Sequence, residues 1–361
     1  MSNSEQQPEV SNCLRLALPV AAVTLAAAMV LMPEAAANAD EHPSEHSQSY
    51  VVPAAHERQS NPSQSLVITT YNILGSIHKE TGREVGGSVE ARAHREEKYV
   101  EGHAGAPKSD ILGVQEMERD QWRMFNNFLE GYNVVPKGHA EQNSIFYNSE
   151  RFEPISDGTL RYPYYSDPTV HGRHGVGVWA RFKDKETGQI LSILNAHYVA
   201  WNERPGTDPG GAMKRLESAK LSQEWVIEQQ EKHPDDAVYV IGDLNSINNV
   251  LNFYNPSFDH QFKDRALQGD RNKIPYCILT KNPNKLQDTR DMLEGRQGHC
   301  ENHNRGPAYN DTIDWIYTTP KYTHVVAWKR PENKITLHAS DHLPLTVVAE
   351  ATQEPAAAPT A

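Results

Sequence analysis

Several stretches of this chain end a run of apolar residues in a group that can hold a cation or move a proton. In VYVIGDLNS (238–246) a β-branched and aromatic run stops at Gly242, and Asp243 and Asn245 follow at a spacing of two. If the chain stays extended, both project to the same side. Leu66, Ile68, Thr70 and Asn72 share one face of LVITTYN, and Leu112, Val114 and Glu116 share one face of DILGVQE. Leu191, Ile193, Asn195 and His197 repeat the arrangement in LSILNAH, Thr312 and Asp314 lie in DTIDWIY, and Asp341 and His342 precede LPLTVV. Taken singly, each of these polar residues is what a turn or a cap also carries. Together they are costly, because a carboxylate at the mouth of a buried strand must be paired, hydrated or metal-bound. They therefore point to one shared polar rim. The residue types suit two tasks: oxygen ligands take a hard divalent cation, and imidazole removes a proton from water near neutral pH.

The elements that must position this rim are legible as strands and a few helices. Strands are expected at 66–72, 110–114, 144–147, 177–182, 190–197, 238 onward, 311–318 and 346–348, and the turn at 183–189 implies an antiparallel hairpin. Helices are expected at 90–100, at 120–129 with Trp122, Phe125, Phe128 and Leu129 as core residues, and at 212–233 with Leu216, Ala219, Trp225 and Val226 buried. No internal repeat is evident. The stretch 281–310 reads as a long, irregular substrate-side loop, and 200–213 as a second individual loop. Strands outnumber helices without strict alternation, which predicts an α+β body, an α/β sandwich of two packed, largely antiparallel mixed β-sheets flanked by helices.

Composition bounds the rest. The hydrophobic content of 38% supports a single folded body of about 280 residues. A net charge of −12 argues against a broad basic grip on nucleic acid, although a bound cation or a local groove can still serve a phosphate substrate. Residues 1–39 read as a signal peptide: Leu14–Met32 is almost wholly apolar and leads to Ala37-Asn38-Ala39, with cleavage expected near Asp40. Glu5 and Glu9 ahead of Arg15, and the length of the apolar run, leave a retained membrane anchor as the alternative. Residues 40–65, rich in His, Ser, Pro, Gln and Glu, read as a flexible linker, 66–351 as the folded domain and 352–361 as a disordered tail. Cleavage removes Cys13, so an exported product keeps Cys277 and Cys300, whose pairing would close a loop of about two dozen residues and stabilise by roughly 3 kcal/mol. No CxxC or Cys/His spacing of a structural zinc site occurs.

The order of these motifs resembles the endonuclease/exonuclease/phosphatase superfamily, with its deoxyribonuclease I-like fold. The resemblance runs through TYNIL (70–74), DILGVQEME (110–118), SIFYN (144–148), LNAHY (194–198), GDLNS (242–246), LQDTRD (286–291), IDWIY (313–317) and SDHLPL (340–345). It implies that Glu116 is the principal ligand of Mg²⁺ or Mn²⁺, with Asn72 and Asp341 beside it. It implies further that His342 is the general base supported by Asp314, that Asp243 and Asn245 position water and phosphate, and that His197 contacts the scissile phosphate. NAHY and GDLN stand where the family commonly has NTHL and GDFN, and both changes fall at packing positions. No substrate-reading motif is matched; Arg173, Arg204, Arg290 and Arg305 are candidates for phosphate contact, but each singly reads as a solvated surface arginine.

The expected function is that of an exported, divalent-metal-dependent phosphodiesterase using water as nucleophile, with nucleic acid as first substrate class. The alternative is a lipid or small phosphate ester, as in the sphingomyelinase-like and inositol-phosphatase-like branches. A non-catalytic binding module is the third reading. Secretion is the expected localisation, a membrane entering only through a retained anchor, and no obligate protein partner is implied.

Overall fold

The computed structural model describes residues 49–50, 65–78, 85–138, 142–162, 175–199, 210–246, 274–281, 286–296 and 312–352. In chain order the elements are β1 (Ser49–Tyr50), β2 (Ser65–Asn72), α1 (Val89–Val100), β3 (Ile111–Gln115), α2 (Arg119–Phe128), β4 (Tyr132–Val135), β5 (Ser144–Asn148), β6 (Phe152–Arg161) and β7 (Val176–Asp184). They continue with β8 (Ile190–His197), α3 (Gly210–Lys232), β9 (Ala237–Asp243), α4 (Pro275–Thr280), β10 (Gln287–Asp288), α5 (Thr289–Leu293), β11 (Asp314–Thr318), β12 (Thr323–Lys329), α6 (Lys334–Leu337) and β13 (Leu345–Ala351).

Among the described residues the strands form two sheets, ordered β1-β12-β13-β2-β3-β5-β4 and β10-β11-β9-β8-β7-β6. Neighbours are antiparallel except for β2 with β3 and β8 with β9. This is the expected pair of mixed, largely antiparallel sheets. Their inner faces share one core, in which Ile68, Ile111, Ile145 and Val347 of the first sheet join Val178, Phe182, Ile193, Tyr239 and Ile241 of the second. The outer face of the first sheet packs Tyr71, Leu112, Val114 and Phe146 against Ala93 and Val100 of α1 and Phe125 of α2. The outer face of the second packs Leu194, Val238 and Val240 against Leu216, Ala219, Trp225 and Val226 of α3. Strands covered on both faces have no need of polar alternation, which is why β9 is buried at every residue.

The two parallel pairs fix where the rim lies. Each joins strands through a helical crossover, β2 to β3 by way of α1 and β8 to β9 by way of α3, so the carboxyl ends of both strands in a pair emerge together. Asn72 thereby pairs in register with Gln115, and His197 with Asp243.

Some elements escape a sequence reading. β6 is an exposed edge strand interrupted by Pro154 and a register shift between Pro154 and Ser156, so neither alternation nor an apolar run marks it. The strand expected from 311 begins at Asp314, because Thr312 Oγ1 closes a local turn by accepting the Asp314 N–H at 3.0 Å and donating to the Asp314 carbonyl at 2.9 Å. Ser49–Tyr50, inside the stretch expected as a linker, pairs with Trp328 and Lys329. Within 281–310 the described part is ordered as β10 and α5, and there Arg290 is buried with its guanidinium 4.9 Å from the Trp328 ring. The surface reading of Arg290 is therefore corrected, and Arg173, Arg204 and Arg305 lie outside the described residues. So do the apolar run 14–32, Cys13 and Cys300, while Cys277 is buried in α4. Among the described residues no helix is long and apolar enough to cross a membrane.

Opposite in character to the rim is a buried ion cluster around Arg151. Its guanidinium donates to both Asp184 oxygens, at 2.8 Å from Nη2 to Oδ2, to Asp110 Oδ2 at 2.9 Å, and to the Ser65 carbonyl at 2.7 Å. It thus ties the start of β2 and β3 to the end of β7. Burial pushes the Asp184 carboxyl up, but the hydrogen bonds from Arg151 outweigh it and hold the carboxyl below its ordinary value. A folded-state pKa below the unfolded one contributes stability that is present above about pH 3.9 and is lost as pH falls through the folded value. Arg151→Ala strands the buried Asp184 and the part-buried Asp110 and is expected to cost about 3–5 kcal/mol at pH 7. Urea unfolding should show that cost shrinking as pH falls, beginning above about pH 4, because burial without the guanidinium raises both carboxyls and Asp110 stands above its ordinary value even beside Arg151. A loss that stays constant down to pH 3 would contradict the assignment.

Candidate active site

The polar strand ends do meet. Asp243 closes β9 and Asp314 opens β11, and these antiparallel neighbours place the two residues directly opposite each other. Asp314 Oδ2 lies 2.9 Å from His342 Nδ1, which leaves Nε2 on the far side of the ring, 3.7 Å from Asp243 Oδ2. His197 Nε2 is 3.5 Å from the same Asp243 oxygen, with both side chains buried. Asn72 reaches across from the first sheet: its Nδ2 donates to Asp243 Oδ2 at 3.0 Å and to Glu116 Oε1 at 2.9 Å, while its Oδ1 accepts the Leu74 N–H at 3.1 Å. The amide orientation is forced, since a peptide N–H can only donate and an ionised carboxylate can only accept.

Local backbone conformation aims these groups. Glu116 follows β3 at φ +61°, and Asn245 follows β9 at φ +46°, both left-handed positions that turn the chain sharply at a strand end. Asn245 is held there by the bond from its N–H to Asp243 Oδ1 at 2.8 Å and by its Nδ2 on the Tyr198 carbonyl at 3.0 Å. Gly75 N–H points at Glu116 Oε2 at 3.3 Å. Ser340 Oγ donates to the Asn72 carbonyl at 2.7 Å and accepts the His342 N–H at 3.2 Å, which fixes the segment carrying the base to the end of β2. Asp341 is exposed, its Oδ1 3.4 Å from Ser340 Oγ.

Electrostatics follow from this crowding. Burial pushes the Asp243 carboxyl up, His342 draws it back and Asp314 raises it again, so that it stands at about 7. For His342 burial works downward, but the charges of Asp314 and Asp243 and the bond to Asp314 outweigh it and hold the imidazolium well above its usual range. With Nδ1 fixed by Asp314, Nε2 is the ring position that can take a proton from water, and the charge of a cation beside these carboxylates would offset the pull that otherwise keeps the ring protonated.

A divalent cation fits the donors present. Asp314 Oδ1 is buried without a hydrogen-bond partner, an atom that a cation or a bound polar group would satisfy. Donor atoms of Asp243, Asp314 and His342 lie within 4.8 Å of one another. Glu116 stands beside them, and the acceptors are mainly oxygen, the preference of Mg²⁺ and Mn²⁺, whereas Asn72 turns its Nδ2 toward Glu116 and Asp243 and presents no ligand oxygen in this arrangement.

Every rim residue named from the sequence thus lies in this neighbourhood by bond or by chain adjacency. Sequence reasoning missed three contributors. His78 Nε2 lies 3.7 Å from Glu116 Oε2, Ser340 makes the bridge just described, and Gln115 Nε2 donates across the sheets to Asn195 Oδ1 at 2.6 Å. His78 sits in a loop without periodicity, whereas the alternation that marked Glu116 and Asn195 already placed Gln115 in a buried strand.

The fold can be compared directly. No family model and no curated protein matches the chain. Among solved structures, the endonuclease/exonuclease/phosphatase from Bacteroides vulgatus superposes with a TM-score of 0.52 at 17% identity, covering 80% of this chain and 99% of that one. ANGEL2, a 2′,3′-cyclic phosphatase solved with adenosine-2′,3′-vanadate, gives 0.53 at 15% identity, covering 80% and 96%. A humanized D. rerio TDP2 gives 0.52 at 12% identity, covering 79% and 99%. The chain therefore has the deoxyribonuclease I-like fold of the endonuclease/exonuclease/phosphatase structures, as its motif order implied.

Proposed function

We propose that this protein hydrolyses phosphate ester bonds by activating water, and that it does so as a metal-dependent phosphodiesterase with nucleic acid as its first substrate class. The observation that carries this reading is the Asp314–His342–Asp243 chain standing beside Glu116 and Asn72. In this reading Asp314 fixes His342 through Nδ1, and His342 Nε2 accepts the proton of the attacking water. Asp243 and Asn245 orient that water and the phosphate, and His197 supports the scissile phosphate from the neighbouring strand. A divalent cation held by Glu116, with Asn72 and Asp341 beside it, would offset phosphate charge. Retention of Glu116, His197, Asp243, Asn245, Asp314 and His342 together disfavours a purely binding role.

A ligand pair supports the nucleic-acid choice: the TDP2 fold has been solved with a single-stranded DNA product, and ANGEL2 with an adenosine derivative. The net charge of −12 favours the second reading, a lipid or small phosphate ester. We also propose export, on the apolar run 14–32 and the Ala37-Asn38-Ala39 pattern.

One panel separates the readings: duplex DNA, single-stranded DNA, RNA, sphingomyelin and a simple phosphomonoester, each assayed with Mg²⁺ and with Mn²⁺. Cleavage of a nucleic acid that stops on chelation is the expected result. Turnover of sphingomyelin alone would overturn the substrate assignment, and turnover indifferent to chelator would overturn the metal.

A further inference from the structure

Helix α1 carries two arginines, one turn apart, that donate to backbone carbonyls. Arg92, buried, donates through Nη1 to the Leu74 carbonyl at 2.9 Å and lies 3.4 Å from that of Ile73. Arg95 donates through Nη1 to the Gly86 carbonyl and to the His338 carbonyl, the latter at 3.0 Å. Glu96, next to Arg95 and one turn on from Arg92, is fully buried, and neither of its oxygens has a hydrogen-bond partner. A buried carboxyl flanked by two guanidinium groups is the obvious acceptor. That both arginines instead satisfy backbone carbonyls shows where their geometry is committed.

The Ile73, Leu74 and His338 carbonyls belong to the two loops that carry opposite halves of the candidate site, and the Gly86 carbonyl to the segment before α1. Leu74 is a left-handed residue at φ +55°, and the next N–H, that of Gly75, points at Glu116 Oε2. Gln121 of α2 adds a second donor to the Leu74 carbonyl at 3.1 Å. His338 is two residues before Ser340, whose hydroxyl anchors both the Asn72 carbonyl and the His342 N–H. The Gly86 N–H also reaches the His338 carbonyl, at 3.4 Å. One rigid helix is thus bonded to the loop beside Glu116 and to the segment that delivers His342.

We infer that Arg92 and Arg95 are positioning residues that set the separation of Glu116 and His342 by clamping both loops to α1. The inference rests on the hydrolytic reading above, because the clamp serves catalysis only if those two residues act on one substrate. Neither arginine touches the reacting atoms. A shift of about 1 Å between groups that must act together can cost up to about a hundredfold in rate, and a clamp on backbone carbonyls acts on that separation.

The test uses the full chain with Arg95→Ala, Arg95→Lys and Arg92→Lys, and Lys98→Ala on the exposed side of the same helix as control. Two readouts are taken: kcat and KM on a chromogenic phosphodiester, and deuterium uptake by segment. Arg95→Ala should lower kcat at least about tenfold with KM held within about twofold, and Arg95→Lys should recover part of the loss, since an ammonium can still donate to a carbonyl. Uptake should rise in 73–78 and 338–343 while β9 and α3 stay protected. Unchanged uptake in those two segments overturns the inference, and so does a rise spread over both sheets, which would mean simple loss of stability. If the wild-type chain hydrolyses no probe, the hydrolytic reading fails, and localised uptake would then show a clamp without catalysis and overturn the positioning role.

Discussion

His342→Ala is expected to lower kcat by about two to four orders of magnitude while leaving the fold and KM nearly unchanged. The size follows from what the ring alone supplies. Its Nδ1 is bonded to Asp314 at 2.9 Å, so Nε2 is the nitrogen left to accept a proton, and the ring stands beside Asp243, which Asn72 joins to Glu116. His197 is also close to Asp243, at 3.5 Å, but it ends a buried strand and is itself wholly buried, whereas water reaches His342. The His342 side chain retains some exposure and lies on a segment outside the strand ladders, so truncation removes chemistry without opening the core. Thermal unfolding within a few degrees of wild type, with kcat collapsed, is the outcome that supports the base assignment. A variant with kcat within about threefold of wild type would remove His342 from the mechanism.

Gly242→Ala should be the most damaging single methyl group in the described structure. Gly242 adopts φ +139°, and a Cβ built there would lie 1.8 Å from the Ala196 carbonyl oxygen and 2.8 Å from its carbon. That neighbour is backbone in the parallel β8–β9 pair, so no side-chain rotation relieves the overlap. The strands must separate between Gly242 and Ala196, one residue from the His197–Asp243 pairing. A destabilisation of at least about 4 kcal/mol is expected, with failure to accumulate soluble protein as the practical sign. Urea unfolding of any material recovered measures it. A midpoint shift of under about 2 °C in thermal unfolding would show that the backbone at this position is freer than the register allows.

Much of this was legible in the sequence for a physical reason. Buried strands such as 238–243 and 190–197 need no alternation, and their polar ends stand out because the cost of burying them demands an explanation. Helix spacing placed Phe125 and Leu129, and Leu216, Ala219, Trp225 and Val226, in the core where they are found. Trp122 and Phe128 pack against that core only half-buried. Irregular strands were less visible: the edge strand β6 exposes most of one face and carries a bulge, and the inner strand β12 is broken by a register shift between Val325 and Ala327. The parallel pairings of β2 with β3 and β8 with β9 could not be read from local pattern either, since pairing direction is a property of the whole sheet. At the site, residue types were legible but partners were not. Asn72 was assigned to the metal by resemblance, and the structure adds that its nitrogen joins Glu116 to Asp243 while its oxygen is engaged by Leu74. His78 and Ser340 contribute through loops whose course no periodicity encodes.

The central claim is that residues from both sheets form one hydrolytic site, with Glu116 on one side and His342 on the other. The most direct measurement is the rate of phosphodiester hydrolysis by Glu116→Gln, His342→Ala and the double variant, with Mg²⁺ or Mn²⁺ present. Groups that act as a unit are strongly non-additive, so the double variant should be scarcely slower than the slower single one. A double variant slowed by the product of the two single losses would contradict a single shared site.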